Sequence, residues 1–580
     1  MRNLPYPGRF FCCRATPATP GTGTTPVGEQ DCDRWSKGTG TMSTTTRLAS
    51  QGELTIDVYD TTLRDGAQQE GMNLSVADKL AIAPLLDELG VGYIEGGWPG
   101  AIPKDTEFFA RAAKELDLRH ARLAAFGATC KAGTRPHDDP QVRALVDSEA
   151  PVVTIVAKSD IRHVERALRT TAEENLRMIR ETVRYLREQD REVILDAEHF
   201  FDGYRFDRDY ALSAVATALE AGAEVAVLCD TNGGMLPGWV HEIVSDVRAQ
   251  VDGRLGIHAH NDTGCAVANS LAAVEAGARH VQGTVNGYGE RTGNADLVTV
   301  VANLELKHAV PTLAGHGLRE ASRLSHAISE ITNISPYGRQ PYVGASAFAH
   351  KAGLHASAIR VDPDLYQHID PVAVGNDMRM LVSEMAGRAS IELKGRELGI
   401  DLSGRPEILA KVTERVKAAE AQGYTFDAAD ASFELMLREE LDGTRPRYFT
   451  VESWRAMVQT LSEDISLTQA EATVKLHTGR GRVVCTGEGN GPVNALDHAL
   501  RQALVDVYPE LEDFELIDFK VRILDTQSGT DATTRVLIET SDGVHSWSTV
   551  GVGPDIIEAS WEALVDSVVY GLLRRDVAPR

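Results

Sequence analysis

The sequence lacks two features that would each place it in a particular class of protein. No uninterrupted apolar stretch is long enough to span a lipid bilayer, which argues against a transmembrane protein. No two of the 7 cysteines have the Cys-x-x-Cys spacing, which argues against a disulfide framework and a cysteine zinc site. Scattered cysteines of this kind are typical of a reducing compartment, so we expect a cytoplasmic protein.

Positive charge is also scarce. The chain has 59 Lys and Arg residues against 84 Asp and Glu residues, which gives a formal net charge of -25. An acidic surface of this size repels nucleic acid and anionic lipid, so neither is an expected partner. A local basic pocket for an anionic substrate remains compatible with this balance. The length of 580 residues exceeds what one hydrophobic core supports, so about two to four domains are expected.

The first segment of the chain has little apolar periodicity. Residues 1–52 are rich in Pro, Gly, Thr and Arg, which predicts a disordered N-terminal extension. The segment lacks the continuous apolar core of a secretory signal. Arg2, Arg9 and Arg14 precede any acidic residue and leave an organelle-targeting role open, but an over-extended start upstream of Met42 is the favoured interpretation.

From Leu54 onwards, eight short apolar runs alternate with helical patterns, at intervals of roughly 26 to 40 residues. This rhythm predicts a (β/α)₈ TIM barrel over residues 53–318, in the α/β class. An open doubly wound sheet uses the same alternation, but no Gly-x-Gly-x-x-Gly turn follows the first strand. The predicted strands are Leu54–Tyr59, Tyr93–Trp98, Arg122–Ala128, Val152–Ala157, Glu192–Ala197, Glu224–Cys229, Arg254–His260 and His280–Val285.

The remainder of the chain has a different pattern. Residues 319–445 are predicted to form mainly helical linker subdomains, and residues 446–580 a C-terminal α+β regulatory domain. The C-terminal domain contains alternating segments, which predict strands, and two amphipathic patterns, which predict helices. These elements are Ala472–Leu476, Arg482–Thr486, Leu516–Ile523 and Thr534–Thr540 as strands, with Pro492–Val507 and Ile556–Leu573 as helices.

Polar residues follow several of the predicted barrel strands, on the face where catalytic groups of TIM barrels collect. His258 and His260 are two apart in one strand, so their side chains point the same way, roughly 7 Å apart along the strand. A structural histidine pair is the alternative interpretation. The nearby Asp65, and the amide oxygen of Asn294, favour a divalent metal site for Mg²⁺, Mn²⁺ or Zn²⁺.

Three other side chains are candidates for chemistry at this face. Arg64, next to Asp65, is predicted to stabilise an alkoxide that forms when a ketone is attacked, although a salt bridge is the alternative. Glu198 and Glu290 are candidate acid or base groups, and either one could instead orient a metal ligand or pair with Arg291. His350 and His355 lie beyond the barrel, in a segment that could fold over its mouth, but lone histidines are more often structural.

Three motifs in the barrel carry a resemblance to a known family. Asp60-Thr-Thr-Leu-Arg-Asp-Gly-Ala-Gln68, His258-Ala-His-Asn-Asp262 and Asn286-Gly-Tyr-Gly-Glu-Arg-Thr-Gly-Asn294 resemble the signatures of the DRE-TIM metallolyase superfamily. Phe348-Ala-His-Lys-Ala-Gly-Leu-His355 is similar to the linker of its synthase branch. Gly529-Thr-Asp-Ala532 and Gly551-Val-Gly-Pro554 resemble the regulatory domain of that branch.

The resemblance implies a role for each candidate residue. It implies that Asp65, His258, His260 and Asn294 bind the metal. It also implies that Arg64, Glu198 and Thr231 contact or orient a 2-oxo acid, and that Asp65 contacts the same substrate. His355 and Tyr366 would then serve proton transfer or thioester chemistry, with Tyr366 in a loosely matching motif. Asp230-Thr-Asn-Gly233 departs from the family pattern by having Asn where many relatives have a branched apolar residue.

Within the synthase branch, Ile94-Glu-Gly-Gly-Trp-Pro-Gly100 with Pro103-Lys-Asp105 looks most like the long, regulated citramalate synthases. This similarity implies condensation of acetyl-CoA with pyruvate, isoleucine as feedback inhibitor, and a homodimer. Trp98 would suit a 2-oxo acid with a methyl side chain. The alternatives are an isopropylmalate synthase that uses 2-oxoisovalerate, a related acyl-CoA lyase, and a non-catalytic metabolite sensor.

Overall fold

A closed barrel of eight parallel strands forms the first half of the described chain. The computed structural model describes residues 55–315, 317–460, 468–524 and 532–580. Each strand pairs with the next, and β1 pairs with β8 to close the barrel, so the predicted fold class is confirmed. The predicted disorder of residues 1–52 lies outside the described residues. The strands are β1 Asp57–Asp60, β2 Tyr93–Gly97, β3 Arg122–Ala128, β4 Val152–Lys158, β5 Glu192–Glu198, β6 Val225–Asp230, β7 Arg254–Ala259 and β8 His280–Gly283.

Helices follow the strands and bury their apolar faces on the barrel. In the first of them, α1, the Ser75 side chain accepts a hydrogen bond from the Asp78 N–H, and the Asp78 carboxylate accepts one from the Ser75 N–H. This capping box satisfies amides that have no partner within the helix. The barrel helices are α1 Val76–Leu89, α2 Pro103–Glu115, α3 Pro140–Asp147, α4 Ala172–Glu188, α5 Phe200–Phe206, α6 Arg208–Ala221, α7 Pro237–Gln250, α8 Ala266–Ala276 and α9 Leu297–Leu306.

The interior of the barrel changes from largely apolar to polar along the strands. Tyr93 and Ile194 belong to a buried cluster near the strand starts. Because side chains two residues apart share a face, Asp196 and Glu198 lie above Ile194 on β5. The same alternation places the His258 side chain of β7 on the inner face of the barrel. Polar side chains therefore collect at the C-terminal mouth of the barrel.

The segment after the barrel is mainly helical, and its first part joins the barrel core. Helix α10, Ala321–Thr332, packs on α1 and buries Leu324 and Ile328 in the core of the barrel. The barrel core therefore continues past residue 318, and the predicted domain boundaries stay predictions. The other elements of this segment are β9 Ala349–His350, α11 Gly353–Ile359, β10 Arg379–Met380, α12 Arg388–Glu397, α13 Pro406–Ala421 and α14 Asp430–Asp442.

The C-terminal unit contains two three-stranded antiparallel sheets, each covered on one face by a helix. Helix α14 contributes Ala431 and Leu435 to the core of this unit, although the sequence placed it in the linker. The sequence did not predict β11 or β16. Of the described helices, none has the length and apolarity to cross a membrane. The elements are β11 Thr450–Thr460, β12 Thr468–Thr478, β13 Gly481–Gly489, α15 Pro492–Leu504, β14 Glu515–Ile523, β15 Thr534–Ser541, β16 Ser546–Gly553 and α16 Ile556–Arg574.

Candidate active site

Asp65, His258 and His260 bring three possible metal ligands together at the mouth of the barrel. Asp65 Oδ2 lies 3.4 Å from His258 Nε2 and 3.9 Å from His260 Nε2. The two Nε2 atoms are 3.4 Å apart, and all three side chains are buried. Two imidazoles and a carboxylate suit a divalent metal. Within the described part of the chain, no other three His, Cys, Asp or Glu residues form such a group.

Asn294 lies beside this cluster but is not part of the three-residue group. It forms an isolated backbone bridge with His260, which the structure places one residue beyond the end of β7. The Asn294 amide donates to the Tyr288 carbonyl at 3.0 Å, so its Oδ1 atom faces elsewhere. Asn294 Oδ1 and Asp65 Oδ1 are both buried, and neither has a hydrogen-bond donor in the described part of the chain. Buried acceptors without a partner are costly, and a bound cation would satisfy them.

A relay of hydrogen bonds fixes the orientation of His258. The Nδ1 atom of His258 lies 2.9 Å from Gln282 Oε1, and the Gln282 amide donates to Asp196 Oδ1 at 2.9 Å. Since an amide oxygen only accepts hydrogen bonds, His258 carries its proton on Nδ1. The Nε2 lone pair is therefore free to bind a metal. The sequence prediction missed both Gln282 and Asp196.

Arg64 is held beside Asp65 by a buried carboxylate. Its Nε donates to Glu95 Oε2 at 2.6 Å, and its Nη1 lies 3.2 Å from Asp65 Oδ2. Glu95 is fully buried and also accepts hydrogen bonds from the hydroxyl groups of Tyr59 and Thr61. These contacts leave Arg64 only slightly exposed and fixed at the cavity wall, where a guanidinium can stabilise developing negative charge.

The electrostatics of the cluster hold two of its three ligands in the form that binds a metal. Burial alone would raise the pKa of Asp65, but the positive charge of Arg64 and the adjacent histidines hold it well below its ordinary value. Burial and the neighbouring His258 lower the pKa of His260 to about 4. At neutral pH Asp65 is therefore ionised and His260 is neutral, which are the forms that coordinate a metal. Burial alone would lower the pKa of His258, but the carboxylate of Asp65 raises it, so a metal competes with a proton for this imidazole.

The loop after β2 is anchored by a buried ion pair. Lys79 Nζ lies 2.5 Å from Asp105 Oδ1, and the other Asp105 oxygen accepts from the Trp98 N–H at 2.9 Å. Gly97 has a φ of 142°, and a Cβ atom there would clash with Asp105. These contacts account for the glycine at position 97 and the acid at position 105, and Trp98 between them lines the cavity.

Trp98 and Phe126 form an aromatic wall of the cavity. Their rings meet edge to face at 5.3 Å between centroids, and the Arg64 guanidinium carbon lies 3.8 Å from the Phe126 ring centroid. The Trp98 indole N–H donates to Gln141 at 3.1 Å. Arg64 is thus packed on the same wall that Trp98 supports.

Glu198 and Thr231 both line the cavity, as does a lysine that the sequence prediction missed. Glu198 forms an ion pair with Lys158, which lies at the end of the neighbouring strand β4. The Thr231 hydroxyl accepts a hydrogen bond from the His199 N–H at 2.8 Å. Because Lys158 lies within an apolar strand pattern, its position gave no separate signal in the sequence.

Glu290 lies at the rim of the cavity and is largely exposed. It approaches Arg291 at 3.5 Å, but Arg291 binds Asp262 more closely, at 2.9 and 3.0 Å. The Arg291 side chain also donates to the Thr231 carbonyl at 2.8 Å. Arg291, in the loop after β8, therefore binds the loops that follow β6 and β7, while Glu290 remains accessible to a substrate.

His355 and Tyr366 do not line this cavity. They lie in the linker segment, where their rings stack at 4.1 Å between centroids, and His350 lies 6.3 Å from His355. Helix α11, which carries His355, packs on α12 of the linker. The structure therefore brings seven of the ten predicted site residues to the cavity. These seven are Arg64, Asp65, Glu198, Thr231, His258, His260 and Glu290.

Three family models match the chain. The HMGL-like model matches residues 55–324, the homocitrate synthase post-HMGL domain-like model residues 342–424, and the LeuA allosteric (dimerisation) domain model residues 427–572. A separate family model therefore matches each of the barrel, the linker and the C-terminal unit.

Full-length relatives agree with these matches. The (R)-citramalate synthase of Streptomyces coelicolor is 63% identical over 90% of this chain and 97% of its own length. The (R)-citramalate synthase of Aquifex aeolicus is 48% identical over 89% of this chain and 98% of its own length. A probable 2-isopropylmalate synthase of Methanopyrus kandleri is 34% identical over 88% of this chain and 97% of its own length. The chain belongs to the family of (R)-citramalate synthases.

Proposed function

We propose that this chain catalyses the condensation of acetyl-CoA with pyruvate and water to give (R)-citramalate and CoA. The observation that carries the proposal is the Asp65, His258 and His260 cluster at the base of a cavity that also contains Arg64. The cavity has a volume of about 830 Å³, which leaves room for a thioester beside the small 2-oxo acid.

A divalent metal fits the residues present. Asp65, His258 and His260 would hold it, and the free Oδ1 atom of Asn294 is the candidate for a fourth ligand. When bound, the metal supplies Lewis acidity that polarises the keto group of the substrate. The donor set suits Mg²⁺, Mn²⁺ and Zn²⁺ alike.

The side chains around the cluster perform the remaining steps. A base removes a proton from the acetyl methyl group, and the resulting carbanion forms a carbon–carbon bond to the keto carbon of pyruvate. Arg64, fixed by Glu95, stabilises the negative charge that moves to the keto oxygen. Protonation of that oxygen and hydrolysis of the thioester then release citramalate and CoA. Glu198 and Glu290, which both reach the cavity, are the candidate bases.

His355 and Tyr366 take part only if the cavity and the linker segment come together. Neither side chain lines the cavity within one chain. We infer that a change in linker position or a second copy of the chain is required for a role in thioester chemistry. Mixing inactive His260→Ala and His355→Ala enzymes tests the second possibility, because recovered activity in mixed assemblies requires complementation between copies.

We also propose a homodimer formed through the C-terminal unit. The alternating residues Ile517, Phe519, Val521 and Ile523 on β14 are all substantially exposed. A second copy would bury this apolar stripe around a two-fold axis. Phe519→Lys should therefore shift the mass measured by light scattering from dimer towards monomer, whereas Lys520→Glu, on the neighbouring exposed position, should not.

Isoleucine is the proposed feedback inhibitor, acting through the C-terminal unit. Helix α14 packs on α16 in that unit, so removal of the unit must begin before Asp430 to avoid exposing its apolar face. Inhibition by isoleucine in the full chain, and its loss in the deletion variant, would support regulation by this unit. The predicted cytoplasmic location stays a prediction.

A steady-state assay of CoA thiol release tests the proposed function. Pyruvate should support a higher kcat/KM than 2-oxoisovalerate, and treatment with a chelator should abolish the rate until a divalent metal is restored. A preference for 2-oxoisovalerate would instead identify a 2-isopropylmalate synthase. Thiol release without any 2-oxo acid would contradict a condensation.

A further inference from the structure

The cavity has a distribution of charge that the metal cluster and Arg64 do not explain. Cations on the loops at the C-terminal ends of the barrel strands are mostly neutralised by carboxylates. Arg64 binds Glu95, Lys158 binds Glu198, and Arg162 binds Asp160. Arg291 binds Asp262, and Arg205 lies over the ring of Trp239.

Four cations at this end of the barrel have no such partner among the described residues. They come from only two loops, those that follow β3 and β4, and all four are exposed. Lys131 itself lines the cavity, and so does Leu168, which lies between two of the arginines. The four residues are Lys131, Arg135, Arg166 and Arg169.

The backbone of both loops is held in a defined conformation. The loop after β4 forms a single turn of π-helix at Val164–Leu168, which ends at Arg169 with a φ of 54°. In the loop after β3, the Lys131 N–H donates to the buried carboxylate of Asp139 at 2.9 Å. Backbone positions on both loops are therefore fixed, while the cationic ends of the side chains remain free.

Acidic groups near these loops do not cancel the four cations. Glu174 and Glu181 are both occupied by Arg177, and Asp139 is buried with its oxygens accepting backbone N–H groups. The exposed acids on the two loops are Asp138, after β3, and Glu165, on the π-helical turn, so the four cations outnumber them. In a chain with a net charge of -25, a surplus of free cations on one side of a cavity indicates an anionic ligand.

We propose that the nucleotide phosphates of acetyl-CoA bind to Lys131, Arg135, Arg166 and Arg169. This inference rests on the proposed function, and it names where the second substrate enters. The acetyl thioester would reach Arg64 and the metal cluster at the base of the cavity. Leu168 and Met178, which line the same cavity, would contact the apolar part of the pantetheine arm. The phosphates would lie outside, on the free cations.

Comparison of two thioesters tests the phosphate site. Acetyl-pantetheine carries the same reactive group as acetyl-CoA but lacks the nucleotide. The double variant Arg166→Glu, Arg169→Glu should raise the KM for acetyl-CoA by about ten-fold or more, because two attractions become repulsions. The KM values for pyruvate and acetyl-pantetheine should change less than about two-fold. Arg184, an exposed arginine on the outer side of α4, has no ion-pair partner among the described residues. Arg184→Glu is therefore the control and should change none of these values.

A binding measurement separates this proposal from the proposed function. Calorimetric titration of CoA needs no turnover, so it reports on the phosphate site even if another 2-oxo acid is the substrate. The double variant should weaken CoA binding by about ten-fold, and added salt should weaken CoA binding less in the variant than in the unmodified enzyme. Unchanged CoA affinity, or an equal loss for acetyl-pantetheine, would overturn the phosphate site. Normal CoA binding without turnover of pyruvate would instead contradict the proposed function alone.

Discussion

Gln282 provides the sharpest test of how the chain prepares its metal site. Its side-chain oxygen accepts a hydrogen bond from His258 Nδ1, and its amide nitrogen donates one to Asp196, each at 2.9 Å. Gln282→Leu removes the acceptor while retaining a side chain of similar size. The His258 ring then loses its fixed orientation, and its proton is no longer held on Nδ1. Loss of a hydrogen-bond partner of this kind typically weakens metal affinity or activity by about 10- to 100-fold.

The assay is a metal titration of chelator-treated enzyme, followed both by calorimetry and by recovery of thiol release. Gln282→Leu should raise the metal Kd about 10- to 100-fold, while activity at saturating metal recovers to a large extent. Gln282→Glu keeps an acceptor for His258 and should affect metal affinity less, although it places a second acid beside Asp196. Burial, with the charge of Glu95, raises the pKa of Asp196 to about 7. Asp196 can therefore hold one proton, which it would share with the introduced carboxylate. Metal affinity unchanged in Gln282→Leu would refute the orienting role.

Two further predictions concern the site, and a third concerns the stability of the barrel. Arg64→Lys keeps the positive charge but loses the planar guanidinium, which contacts Glu95 through Nε and Asp65 through Nη1. The kcat should therefore fall by about 10² or more with a smaller change in pyruvate KM, and a defect confined to KM would contradict the alkoxide role. Trp98→Ala removes part of the aromatic wall and should raise kcat/KM for 2-oxobutyrate relative to pyruvate, whereas an unchanged ratio would exclude Trp98 from selectivity. Burial alone would raise the pKa of Asp87, but three backbone N–H groups before β3 hold it below its ordinary value of 3.8. This carboxylate therefore stabilises the fold above pH 3.8 and loses that effect as the pH falls further. Asp87→Asn should cost about 1–3 kcal/mol near neutral pH, and denaturant titrations should show the difference shrinking below about pH 4.

The sequence allowed the barrel to be predicted because its apolar runs are regular and buried on both faces. The metal ligands could also be found, since His258 and His260 share a strand face and Asp65 follows the first strand. Glu95, Asp196 and Gln282 could not, because they lie within the strands and the sequence does not show which acid faces which base across the barrel. Their roles depend on contacts between residues far apart in the chain.

Two other differences have physical causes. Strand β11 was not predicted because its side chains are largely exposed along most of its length, so it shows no strong alternation of apolar and polar residues. His355 and Tyr366 were grouped with the barrel residues on a resemblance, but the linker helices pack among themselves and hold both rings away from the cavity lining. The position of a linker is set by packing that local sequence patterns do not reveal.

Identification of the product tests the central claim most directly. The enzyme is supplied with acetyl-CoA labelled with ¹³C in the methyl group, unlabelled pyruvate and a divalent metal, and the product is followed by NMR and chiral chromatography. We predict (R)-citramalate with the label in its methylene carbon, formed at the same rate as CoA, and no product from a His260→Ala enzyme. Label that remains in acetate, or a condensation product formed only with 2-oxoisovalerate, would contradict the account.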